Sequence, residues 1–156
     1  MHKRKTWREK LADDKDLPKV VPIGGKMRTT WGAGTVAIAA PRQVDAIMKR
    51  VPRGKLITIN EIREKIARDA GATIGCPITT GIFAWIAAHA AEESAAAGAK
   101  KITPYWRTLK SGGQINPKYP GGLSAMKNRL KSEGHHVVNK GKRMFVANFE
   151  RSLASA

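Results

Sequence analysis

The sequence predicts an α+β, mostly helical domain: a winged helix-turn-helix-like body followed by a C-terminal β-hairpin. Three observations carry that prediction. Two helical segments flank a short, glycine-bearing connection, and the second opens with the small polar residues Thr79 and Thr80. The stretch from His136 to Phe149 patterns as a hairpin, with Val137 and Val138 before a turn at 139–142 and Met144 to Val146 after it. At 156 residues and 42% apolar content, the chain can bury one core and is too short for two ordinary domains.

Residues 1–34 mix both charge signs with Pro18, Pro22, Gly24 and Gly25, which predicts a basic N-terminal arm, extended after a short amphipathic turn at Trp7 to Leu11. Thr35 to Ala39 alternates as a short strand. Pro41 suits the first turn of a helix reaching about Arg50, with Val44, Ile47 and Met48 on one face. After the turn Pro52-Arg53-Gly54-Lys55, Thr58 and Glu61 make a capping box: the hydroxyl accepts from the third helical amide and the carboxylate reaches back. Ile59, Ile62 and Ile66 repeat at helical spacing, and Gly71 supplies the left-handed cap. The next helix is expected to start near Thr79 or Thr80 and to run, alanine-rich, to Gly98. On it Phe83, Trp85 and Ile86 are expected in the core, while Gly81, Ala84, Ala87 and Ala88 would let the helix lie close to a groove. The aromatic-basic cluster Ile102 to Arg107 has no helical period. Beyond a glycine loop at Lys110 to Gly113 and a turn at Pro117 to Gly122, a last helix puts Leu123, Met126 and Leu130 on one face and closes at Gly134. The body thus spans 35–134, and the hairpin with its tail 135–156.

Charge narrows the function. Lys and Arg number 29 against 12 Asp and Glu, a net of +17. From Ala95 onward there are 12 basic residues and two acids, Glu133 and Glu150. Such an excess implies a polyanion partner, because each cation that meets a phosphate releases a counterion. Double-stranded DNA, bound by a monomer, is the partner expected. The longest apolar stretch, Ile82 to Ala91, is interrupted by His89 and is too short to span a bilayer, and no apolar run follows the basic N-terminus. The single cysteine, Cys76, excludes an intrachain disulfide and fits a cytoplasmic location. His89, His135, His136 and Cys76 lack metal-ligand spacing, and the carboxylates form no acid-base pair, so neither metal nor cofactor is implied.

Several short motifs, in order and at matching spacing, carry a resemblance. They are Val51-Pro52-Arg53-Gly54-Lys55, Pro104-Tyr105-Trp106-Arg107, Ser111-Gly112, Tyr119-Pro120-Gly121-Gly122, and Leu130-Lys131-Ser132-Glu133-Gly134. Across Pro41 to Gly134 the chain resembles the C-terminal domain of the DNA alkylguanine alkyltransferases (the methylated-DNA–protein-cysteine methyltransferases), and more closely their alkyltransferase-like relatives. That resemblance implies a helix-turn-helix set in the minor groove, a guanine flipped out of the stack, and, in active members, alkyl transfer to a motif cysteine. Here Tyr105 stands at the cysteine and Trp106 at the activating histidine, and a phenol and an indole do not reproduce a thiolate activated by imidazole. The alkyltransferase-like relatives also lack the cysteine and bind alkylated DNA without repairing it. Thr80 aligns with the arginine that fills the gap left by the flipped base, and Ile59 with the tyrosine that rotates the phosphate.

What the resemblance implies for this chain is a non-enzymatic binder of alkylated or damaged DNA. Its base pocket would be lined by Tyr105, Trp106, Tyr119, Gly121 and Gly122. Read on their own, Tyr105 and Trp106 either form a stacking wall or close the pocket as core aromatics. Thr79, Thr80, Arg107, Lys110, Ser111, Lys118 and Lys127 are the DNA-contact candidates, with Arg129 and Lys131 beside them. Capping is the structural alternative for the threonines, and shaping the turn is the alternative for Arg107. Lys140, Lys142 and Arg143 would act as a wing on the hairpin. Two other readings stay open: a repair enzyme using Cys76, whose position before a helix would favour a thiolate, and an architectural binder indifferent to lesions. The structural alternative for Cys76 is a small buried hydrophobe.

Overall fold

The computed structural model describes residues 4–155. Its elements are α1 (Trp7–Ala12), β1 (Lys19–Pro22), α2 (Lys26–Trp31), β2 (Thr35–Ile38), α3 (Pro41–Lys49), β3 (Ile57–Thr58), α4 (Ile59–Ala70), β4 (Ile74–Gly75), α5 (Pro77–Ala96), β5 (Thr108–Leu109), α6 (Gly122–Ser132), β6 (Val137–Lys140) and β7 (Arg143–Val146). Single 3-10 turns form at Tyr105–Arg107, Ser111–Gly113 and Phe149–Ser152. The α+β class expected from the sequence is the class observed.

The local signals act as anticipated. Thr58 Oγ1 accepts from the Glu61 amide while Glu61 accepts from the Thr58 amide, so α4 starts with two otherwise orphaned donors satisfied. Gly71 ends the helix at φ 66°, a left-handed conformation that costs glycine nothing. Pro41 opens α3, where Gln43 Oε1 accepts from the Ala40 amide at 2.8 Å. The hairpin pairs Val137 with Val146 and Lys140 with Arg143 in antiparallel register.

Pairing between distant segments was not anticipated. β1, β2 and β4 form one small sheet, antiparallel between β1 and β2 and parallel between β2 and β4. β3 and β5 pair in parallel, and Leu56 bonds on to the C-terminal tail: its amide donates to Ser152 and its carbonyl accepts from Ala154. The N-terminal segment is therefore no extended arm. β1 is a sheet strand, and α1 packs on α5, where Glu93 caps it by accepting from the amides of Trp7 and Arg8.

The core gathers Val44 and Met48 of α3, Ile62 of α4, Met126 and Leu130 of α6, and the strands β3 and β5. α5 crosses it with Ala84, Ala87 and Ala88 fully buried. This corrects the expectation for the alanines, while Phe83 and Trp85 pack against the core as anticipated, from its margin. The alanines bring it close to the protein's own core, Phe83, Trp85 and Ile86 are only partly buried, and Ile78 and Ile82 point outward. The helix also begins two residues earlier than expected, at Pro77.

Candidate nucleic-acid interface

The segment Pro104 to Arg107 is held from below by one acid. Glu133, at the end of α6, accepts from Arg107 Nε at 2.9 Å and Nη2 at 2.8 Å, from the Trp106 indole at 2.9 Å, and from the Gly54 amide at 3.3 Å. Arg107 Nη1 donates to the Val51 carbonyl at 2.8 Å. Burial pushes the Glu133 carboxyl up, but the bonds from Arg107, Trp106 and Gly54 outweigh it and leave the group below the usual carboxylate range. Arg107 is thus a structural cation, half-buried, with Nε, Nη1 and Nη2 each bonded within the protein. The phosphate role expected for it is replaced by shaping of this turn.

Above that layer the aromatics close over one another. Tyr105 is 2% exposed. Its ring meets Trp106 edge-on at 5.3 Å and Tyr119 at 6.0 Å. Its hydroxyl donates to Glu92 Oε1 at 2.7 Å, and Arg129 Nη2 reaches the same oxygen at 3.1 Å. Burial, then the bond to Glu92, raise the phenol above its ordinary pKa, so it stays protonated. Tyr119 is likewise buried, and its pKa is raised by desolvation. Neither tyrosine offers a free face to a base, so of the two readings of Tyr105 it is the core aromatic that is found, and not the stacking wall. Trp106 is half-buried, and the Arg129 guanidinium lies 4.1 Å from its ring centroid. Glu92 and Arg129 complete this cluster. The signal for Glu92 was an acid closing an otherwise apolar helix.

The remaining candidates divide by exposure. Thr80 is buried and donates its hydroxyl to the Cys76 carbonyl at 2.7 Å, which removes it from the DNA-contact set. Thr79 is half-buried. Ile59, half-buried at the start of α4, packs against the core. Cys76 is buried among Ile23 and Val36, with Met27 and Ile74 at the margin, and so is the small hydrophobe rather than a nucleophile open to substrate. Lys110 and Ser111 are exposed, and the Ser111 hydroxyl accepts from Asn60 at 3.2 Å, tying the loop to α4. Lys118 is exposed, and its carbonyl lies 3.3 Å from His89 Nε2 on α5. Among the described residues, none of Lys110, Lys118 and Lys127 has an acidic partner. Gly121 is exposed and Gly122 half-buried where α6 begins, with φ of 83° and 76°. Lys140, Lys142 and Arg143 are exposed on the hairpin. His135 is half-buried, and burial pushes its imidazole down.

A cavity of about 490 Å³ opens between the β1–β2 sheet and helices α3 and α4, on Pro18, Ala37, Ile47 and Lys65; none of the motif residues lines it. Among the described residues no cluster of side chains suits a metal ion, and no helix is long and apolar enough to cross a membrane.

No protein-family model matches the chain, and no curated protein matches it. Solved structures do. One is Atl1 of S. pombe in complex with damaged DNA containing O6-carboxymethylguanine, with a TM-score of 0.52 and 20% identity over 74% of this chain and 94% of that one. Another is ATL of S. pombe in complex with DNA, with the same score, identity and coverage. The motif resemblance and the likeness of the structures converge on one fold, that of the alkyltransferase-like proteins.

Proposed function

We propose that the chain is a non-enzymatic DNA-binding protein that recognises alkylated or otherwise altered bases in duplex DNA. One observation carries the reading: a fold shared with Atl1, solved on damaged DNA, has a sealed, protonated tyrosine where transfer would need a nucleophile. A phenol locked to Glu92 does not attack carbon, and Cys76 is buried at the α5 start among Ile23 and Val36.

In this proposal α4 and α5 are the helix-turn-helix, α5 is the element presented to the groove, and β6–β7 is the wing. Lys110, Lys118 and Lys127 meet phosphates, with Ser111 and Thr79 as neutral donors. Trp106, Gly121 and Gly122 form the rim at which an altered base is read, over the floor made by Tyr105 and Tyr119. The protein acts as a cytoplasmic monomer.

The test is a fluorescence-anisotropy titration of two duplexes differing by one alkylated guanine, at two salt concentrations. Tighter binding to the alkylated duplex, reduced by Trp106→Ala, supports the reading. Equal affinities with a steep salt slope would make it a lesion-independent binder. A mass increase of one alkyl group on the protein would make it an enzyme.

A further inference from the structure

We propose that the cavity between the β1–β2 sheet and helices α3 and α4 binds a small amphipathic carboxylate, one acid group on a slender apolar body. The site lies where two parts of the chain meet. β1 and β2 precede the span Pro41 to Gly134 that carries the motifs, and α3 and α4 are the first two helices of that span. At about 490 Å³ the cavity has the capacity of a small-molecule pocket, for which roughly 300–1,000 Å³ is usual.

Small side chains keep it open. Side chains alternate along β2, so Ala37 and Ala39 join the main core toward the helices while Val36 packs on the other face with Ile23 and Cys76. Ala70 of α4 is a third alanine in the wall. Val20, the cross-strand partner of Ala37, adds an exposed apolar side chain. Below them, Ile47 and Ile66 keep 8% and 7% exposure, whereas Val44, Met48 and Ile62 of the same helices have none. The core is therefore open to solvent here, on a surface that suits a hydrocarbon.

The charges in the lining choose the head group. Lys19, Arg50 and Lys65 stand against one acid, Asp69. Asp69 is exposed and already engaged by Lys65 at 3.1 Å, and Lys19 meets Asp16 at 2.7 Å. Arg50, at the end of α3, has no acidic partner among the described residues. Arg50 and Lys65 also line, with Ile47, a second and smaller cavity, so the two spaces meet at these cations. An unpaired guanidinium beside an ammonium only 20% exposed favours a single carboxylate. A polyphosphate or a nucleic-acid strand would carry several charges against alanine, isoleucine and valine, which cannot pair with them.

Isothermal titration calorimetry of the full chain with decanoate, octanoate and decan-1-ol tests the site. One decanoate per chain is expected. Octanoate, two methylenes shorter, should bind about tenfold more weakly. The alcohol, which has the same body and no charge, should also lose about tenfold. Arg50→Gln should weaken decanoate about tenfold and leave the alcohol unaffected. Ala70→Trp, which sets an indole at the cavity wall, should abolish binding of both. Both positions are exposed, so the variants fold, and circular dichroism checks this. Absence of saturable decanoate binding to wild type overturns the proposal. Equal affinity for acid and alcohol overturns it too, since the cations then choose nothing. Several decanoates per chain, unaltered by either variant, would assign binding to the basic surface at large and overturn it as well. None of these results bears on the titration with alkylated duplexes, so the two readings fail separately.

Discussion

Replacing Glu133 with alanine should loosen the whole motif segment, and the size of the effect follows from what the carboxylate holds. It is the acceptor for both sides of the Arg107 fork, for the Trp106 indole and for the Gly54 amide. The side chains of the ion pair are 13% and 3% exposed, so water cannot take over. Breaking one side of a buried pair costs about 3–5 kcal/mol, because a charge remains without compensation. The Val51 carbonyl still accepts from Arg107, which places this case at the lower end, about 3 kcal/mol. For a chain of this length that corresponds to a fall in Tm of roughly 6–12 °C. Glu133→Gln keeps an acceptor but no charge, and should fall between wild type and alanine. Urea and thermal unfolding followed by near-ultraviolet circular dichroism measure both. The sign with pH also follows. The folded carboxyl titrates below its unfolded value, so its contribution is complete above roughly pH 5 and is lost as pH falls through the depressed folded pKa. The alanine variant should lack that acid-range loss. An alanine variant within 1 kcal/mol of wild type would refute the view that this acid holds the turn.

Three further outcomes are expected. Cys76 should react with an aromatic disulfide reagent only after denaturation, because the thiol is buried between β2 and the α5 start; rapid stoichiometric labelling of the native protein would return it to the candidates for catalysis. Gly75→Ala should destabilise by about 1–3 kcal/mol, since a Cβ there runs into the backbone carbonyl of Arg63, and chemical denaturation measures it. Changing Lys110, Lys118 and Lys127 together to glutamine should weaken binding to alkylated and unmodified duplexes alike. The salt slope should fall by about 0.9 for each phosphate that is no longer neutralised, and an unchanged slope would place the phosphate-binding cations elsewhere on the surface.

The parts of this fold that were legible in the sequence are those whose causes are local. The Thr58–Glu61 box, the Gly71 cap, Pro41 and the β6–β7 turn each act within a few residues, and each appears as expected. Pairings that join distant segments left no such trace. β3 and β5 are two residues long, too short for alternation to register, and their paired residues lie 51 positions apart. The docking of α1 depends on Glu93 and His89, which periodicity treats as ordinary helix-surface residues. On α5 the alanines were assigned to the wrong side, although Phe83 and Trp85 do pack against the core. Composition alone does not say whether alanines face a partner or the core, and here the crowding of α3 against α5 decides for the core. At the site, the motif order located Tyr105, Trp106 and Arg107 together. Of the side chains that pack and bond them, Glu133 lay within the last motif, whereas Glu92 and Arg129 lay outside the motif series.

The bond from Tyr105 to Glu92 has a bearing on how this protein can change. A cysteine placed at 105 would leave a void the size of a phenol ring, strip Glu92 of its hydroxyl donor, and release Arg129 from one side of its cluster. It would still find no base beside it, because the neighbouring indole already donates to Glu133 below. A single change at 105 to a nucleophile therefore passes through a less stable chain that still lacks a neighbouring base. The aromatic seal thus works as a lock with several tumblers: Tyr105, Trp106 and their partners Glu92, Arg129 and Glu133 have to change together before this segment could carry a nucleophile beside a base.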